Sequence, residues 1–105
     1  MLAMPDRRIE VLRHFPTLLD RWRGTDAQLR ELTTGHRTLR LFLQSPSRNG
    51  FLLIACIDPH RIEAPIAWAR SNIRILPNEA DGFVVLDTDA GVRIQTGHVE
   101  VKEFD

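Results

Sequence analysis

The chain has 105 residues, 43% of them apolar and 27% charged, with fourteen basic residues against fourteen acidic ones. This balance excludes a disordered chain, a collagen-like chain and a coiled-coil rod, and the length fits one α+β domain over residues 1–105 with a modest core. A single cysteine, Cys56, excludes an internal disulfide framework. No apolar run reaches the roughly 18–20 residues of a membrane span, and Met1 to Arg8 is too charged for a signal peptide, so a reduced, cytoplasmic protein with no membrane partner is expected.

Residues 1–35 read as helical. Asp6 suits an N-cap, and Ile9, Leu12, Phe15, Leu19 and Trp22 recur at three- and four-residue steps, one face of a helix. Pro16 lacks an N–H and crowds the preceding turn, so a kink or a split is expected there. Gly24 suits a helix end. Thr25 and Gln28 have capping-box spacing for a further helix over Leu29 and Leu32, stopped by Gly35.

From Thr38 the period changes to two, with Leu39, Leu41 and Leu43 on one face. Ser45 to Gly50 reads as a hairpin turn, with Asn49-Gly50 its strongest signal. Phe51 to Ile57 is nearly all apolar, the mark of a central strand covered on both faces. Asp58-Pro59 opens a turn or short helical turn that Ala64-Pro65 closes. Ile66 to Arg70, Asn72 to Leu76, Phe83 to Leu86, Val92 to Thr96 and His98 to Glu103 follow as strands, with a reversal or bulge at Gly97. The sum over residues 36–105 is a β-meander. Two or three short N-terminal helices packed on five to seven mostly antiparallel strands, with the option of curling into a small barrel, is the expected fold.

Charge is uneven along the chain. Residues 1–48 carry nine arginines against five acids, a formal +4, and residues 49–105 carry five basic residues against nine acids, a formal −4. The chemistry-bearing motifs are sparse. Cys56 and His60 form a nominal nucleophile–base pair across a turn, but a cysteine in so apolar a strand is ordinarily inert. His60 and Glu63 share a face only if they sit on one helical turn, and Asp87 with Asp89 beside Gly91 reads equally as turn chemistry or as oxygen ligands for a hard cation. No metal, cofactor or phosphate cradle is expected.

The leading expectation is a small non-catalytic module that binds a protein partner, a profile shared with small bacterial immunity proteins and accessory subunits. Trp68, bounded by Pro65, would be its anchor, with Glu79, Asp81, Asp87, Asp89, Glu100, Glu103 and Asp105 complementing a basic surface. Two alternatives stand beside it. One is a small hydrolase or nuclease using His60, His98, Asp87 or Asp89. The other is nucleic-acid binding through Arg7, Arg8, Arg13, Arg21, Arg23 and Arg30, extended by Arg37, Arg40 and Arg48. The interleaved acids and the assignment of the phenylalanines to the core, which leaves no stacking platform, count against it. Pairing of an edge strand with its copy would give a homodimer.

Overall fold

A computed structural model of the protein describes residues 7–33, 37–79 and 81–105; Asp6, Gly35 and His36 lie outside them. The fold is α+β. One bent N-terminal helix in two pieces, α1 (Arg7–Leu12) and α2 (Phe15–Arg21), packs on an antiparallel sheet. The strands are β1 (Asp26–Thr33), β2 (Thr38–Gln44), β3 (Phe51–Glu63), β4 (Ala67–Trp68), β5 (Arg74–Pro77), β6 (Phe83–Asp87) and β7 (Val92–Phe104), with a 3-10 turn over Thr88–Ala90. Pro16 sits in the first turn of α2, where its missing N–H costs no bond, and the break falls just before it.

The second helix expected over residues 25–35 is a strand instead. Its apolar positions, Ala27, Leu29 and Leu32, are spaced two then three. A bulge between Leu29 and Glu31 supplies the three-residue step, so Leu29 stands opposite Leu41 and Leu32 opposite Leu39. Thr25 caps nothing new. Its hydroxyl donates to the Trp22 carbonyl oxygen at 2.6 Å and closes the end of α2.

Sheet order is β4-β1-β2-β3-β7-β6-β5. Two three-stranded meanders, β1-β2-β3 and β5-β6-β7, therefore join along β3 and β7. The turn expected at Asp58-Pro59 is absent, and β3 runs on to Glu63. Its pairing with β2 ends at Ile57, so Pro59, which has no N–H to give, falls where β7 is the one strand alongside among the described residues. Asp58 takes a left-handed φ of 58°, and buried Pro59 and Thr96 face each other just beyond it. The Thr96 hydroxyl donates to the Ile57 carbonyl at 2.7 Å. Gly97, opposite Asp58, marks this shift of phase within β7 rather than a reversal of the chain.

The sheet is curled into a half-barrel, and chain length requires it. Seven strands laid flat would hold their outer two about 29 Å apart at roughly 4.8 Å per gap. Trp68 on β4 and Arg74 on β5 are six residues apart, a reach of at most about 20 Å. A clasp fastens the curl: the Trp68 indole N–H donates to Asp87 Oδ2 at 2.9 Å and the Asn72 backbone N–H to the same oxygen at 2.8 Å. The inner face holds the core. Leu39, Leu41, Leu43, Leu52, Ile54, Cys56, Val85, Val92, Ile94 and Val99 cluster there against Phe15, Leu19 and Trp22. Trp22 is 1% exposed, and its indole N–H donates to Glu103 Oε2 at 2.6 Å.

Candidate functional site

The fold separates the groups that chemistry would need together. Cys56 is buried on the inner face, where loss of solvation pushes its thiol up from 9.0 to about 12. His60 is exposed, with Nδ1 3.1 Å from the Asp58 carbonyl, so no activated Cys-His pair forms. His60 and Glu63 lie on a strand rather than a helical turn, and Glu63 takes Arg61 as its partner at 2.6 Å. Asp87 is 1% exposed while Asp89 is exposed on the 3-10 turn. His98 is exposed, its ring edge-on to Phe83 at 5.9 Å. Among the described residues no three His, Cys, Asp or Glu side chains come together to hold a metal ion.

The expected protein interface is redistributed. Trp68 stands opposite Ala27, a buried inner-face position, and packs half-buried against the core with its N–H in the clasp. It plugs the barrel edge rather than projecting as an anchor. Asp87 is likewise consumed by the clasp, and Glu103 by Trp22 and by Arg21 at 3.1 Å. Glu79 and Asp81 are exposed on the β5–β6 loop, and Asp89 lies at the opposite end of β6. Glu100 is exposed on β7. These acids do not form one surface.

The arginine-rich face is also largely spent within the fold. Arg8 donates to the Asn78 and Gly82 carbonyls at 2.7 and 2.9 Å, tying α1 to the β5–β6 loop. Arg13 pairs with Glu10 at 3.4 Å, Arg23 with Asp20, and Arg21 with Glu103. Arg48 lies over the Trp22 ring at 4.1 Å and donates to the Arg21 carbonyl. Arg30 bonds Gln28 at 3.1 Å and covers the Phe42 ring at 4.9 Å. Arg7 is exposed at the start of α1.

What the sequence reading missed is the outer face of the sheet. Strand register sets side chains there in rows across β2, β3 and β7: Gln44, Phe51 and Phe104; Phe42, Leu53 and Lys102; Arg40, Ala55 and Glu100; Thr38, Ile57 and His98. Phe51, Leu53, Ala55 and Ile57 thus form an apolar stripe about 20 Å long down β3, widened by Phe42 and Phe104. Phe42, Phe51, Leu53 and Ile57 are half-buried, and Phe104 is 40% exposed. α2 adds its apolar side chains to the inner-face core, and the outer-face residues of β3 do not belong to that core, apart from small Ala55 being buried by its neighbours. The strand read as covered on both faces is covered on one by the described elements.

These phenylalanines are not core, yet they are poor stacking partners for bases. Phe51 and Phe104 stack on one another at 4.8 Å and 19°, Phe42 tilts against Phe51 at 5.4 Å, and Arg30 occupies a face of Phe42. Base recognition on a sheet needs open ring faces. Here one face of Phe51, one of Phe104 and one of Phe42 are taken within the fold, leaving an apolar ridge suited to packing.

Beside the ridge lies an open groove of about 730 Å³, bounded by Asp26, Gln28, Phe42, Gln44, Ala67 and the 45–50 turn. Ala67 stands opposite Gln28, so its methyl group forms part of the wall at the sheet edge. A smaller groove of about 520 Å³ lies between α2 and β5. No helix among the described residues is long and apolar enough to cross a membrane. Compared with known proteins, the chain matches no family model, no curated protein and no solved structure.

Proposed function

We propose that the chain is a non-catalytic module that binds a protein partner through the outer face of β2, β3 and β7. The observation that carries the reading is the apolar stripe Phe51–Leu53–Ala55–Ile57 on a sheet face that the bent helix does not cover. A contiguous apolar patch rimmed by charge is the surface that protein association uses. Its rim holds Arg30, Arg40 and Lys102 against Asp26 and Glu100, which gives orientation and specificity. The ring faces taken by neighbouring side chains favour protein over nucleic acid, and the dispersed His and Asp side chains favour binding over catalysis.

The test is affinity capture from the source organism with the wild type and with Leu53→Glu, each first checked for native circular dichroism. One protein species near stoichiometry, lost from the variant, is the expected result. Nucleic acid that elutes with salt, or an identical protein set from both baits, would overturn the reading.

A further inference from the structure

We infer that the partner seated on this outer face is a second copy of the chain, in a two-fold dimer whose axis runs alongside β3. The inference rests on the protein-binding reading above and names its occupant. It follows from how charge is laid out around the stripe.

In the central row, Arg40 on β2 and Glu100 on β7 flank Ala55 on β3. A two-fold axis parallel to β3 and lying just above it carries the β2 side of one protomer onto the β7 side of its partner, at the same height along the strand. Arg40 then meets the partner's Glu100, and Glu100 meets the partner's Arg40. The small residue between them lets the two sheets approach at that row. In the next row the same operation sets Leu53 against the partner's Leu53, and Phe42 against the aliphatic stem of the partner's Lys102. An axis perpendicular to the strands and passing through that row would instead set β2 against β2, placing arginine opposite arginine. These two central rows thus satisfy the isologous rule that each patch complements itself.

One further observation agrees. Fourteen basic and fourteen acidic residues leave no net charge to hold copies apart. Three strands at about 4.8 Å spacing with about 20 Å of stripe give a flat footprint of roughly 300 Å², at the small end for specific interfaces, so the dimer is expected to be a weak one. Arg40 already has a partner in its own chain, but a guanidinium carries five N–H donors and can serve two acceptors.

The experiment is sedimentation equilibrium over a range of concentrations, on wild type, Arg40→Glu, Glu100→Arg and an equimolar mixture of the two variants. Native circular dichroism is required of each. Wild type should dimerise, and each single variant, with like charges facing twice, should dimerise at least about tenfold more weakly. Mixing the variants should restore dimer, because glutamate at 40 then faces arginine at 100 and glutamate at 100 faces arginine at 40. Failure of the mixture to recover would overturn the two-fold arrangement. A wild type that stays monomeric, while Leu53→Glu still loses a captured protein, would overturn the second copy and leave the protein-binding reading standing. A monomeric wild type whose captured set is unchanged by Leu53→Glu would overturn both.

Discussion

The two faces of one strand differ more than any two elements of this molecule. Along β3, Leu52, Ile54 and Cys56 point inward and are fully buried, while Phe51, Leu53 and Ile57 point outward and are half-buried. The flanking strands alternate as a one-sided sheet should: Leu39, Leu41 and Leu43 against Thr38, Arg40 and Gln44 on β2, and Val99 and Val101 against Glu100 and Lys102 on β7. Phe42 and Phe104 are the exceptions, and both adjoin Phe51 on the outer side. The inner side chains hold the fold. Among the described residues the outer ones hold nothing comparable, and the proposed association is the role offered for their apolarity.

Substitutions that cross this divide put the contrast to the test. Trp22→Ala should cost most, about 3–5 kcal/mol, because it empties the core beneath α2 and leaves Glu103 without its indole donor. Ile54→Ala on the inner face should cost about 2–5 kcal/mol and Leu53→Ala, its outward neighbour, clearly less. Urea unfolding of the pair measures the difference, and equal losses would mean that the two faces contribute alike. Asp87→Ala removes a buried acceptor from two N–H groups and should cost about 2–4 kcal/mol. Trp68 fluorescence should shift as the clasp opens.

Cys56 gives a graded probe of the inner face. Its thiol holds its proton far more tightly when folded, with a pKa near 12 against 9.0, so the folded state binds more protons between those values. Stability is therefore unaffected by this group below about pH 9 and falls as pH rises from 9 toward 12. At pH 8 an exposed-thiol reagent should label the native protein only as fast as it unfolds. The smallest effect belongs to Arg23→Ala. Its ion pair with Asp20 is solvent-exposed on both sides, and melting should move by less than about 0.5 kcal/mol.

Much of the architecture is legible in side-chain periodicity. The switch to period two at Thr38, the Asn49-Gly50 hairpin and the kink before Pro16 all follow from local rules. The errors share one cause. In β1 a bulge converts alternation into a three-residue step that imitates a helix, and at Asp58-Pro59 a paired strand absorbs residues that in isolation turn the chain. Both depend on which strand lies alongside, which a single segment does not encode. The same holds for the site. Trp68 is an anchor by composition and a plug by register, because Ala27 across from it points inward. Phe51 and Phe104 lie 53 positions apart, so their ladder appears only once β3 and β7 pair. The signal that was present is the unbroken apolarity of Phe51 to Ile57, which marks two apolar faces without saying that none of the described elements covers the second.

The joining of two meanders along β3 and β7 also bears on how the chain reaches its native state. Hairpins within β1-β2-β3 and β5-β6-β7 close over short loops and form on a microsecond scale. The seam between them brings together positions 30 to 53 apart, so it sets the slow step. Until it zips, each meander carries one unsatisfied long edge, β3 or β7. Two chains refolding at high concentration can therefore exchange halves, with the β3 edge of one closing on the β7 edge of the other and residues 69–73, between β4 and β5, as the hinge.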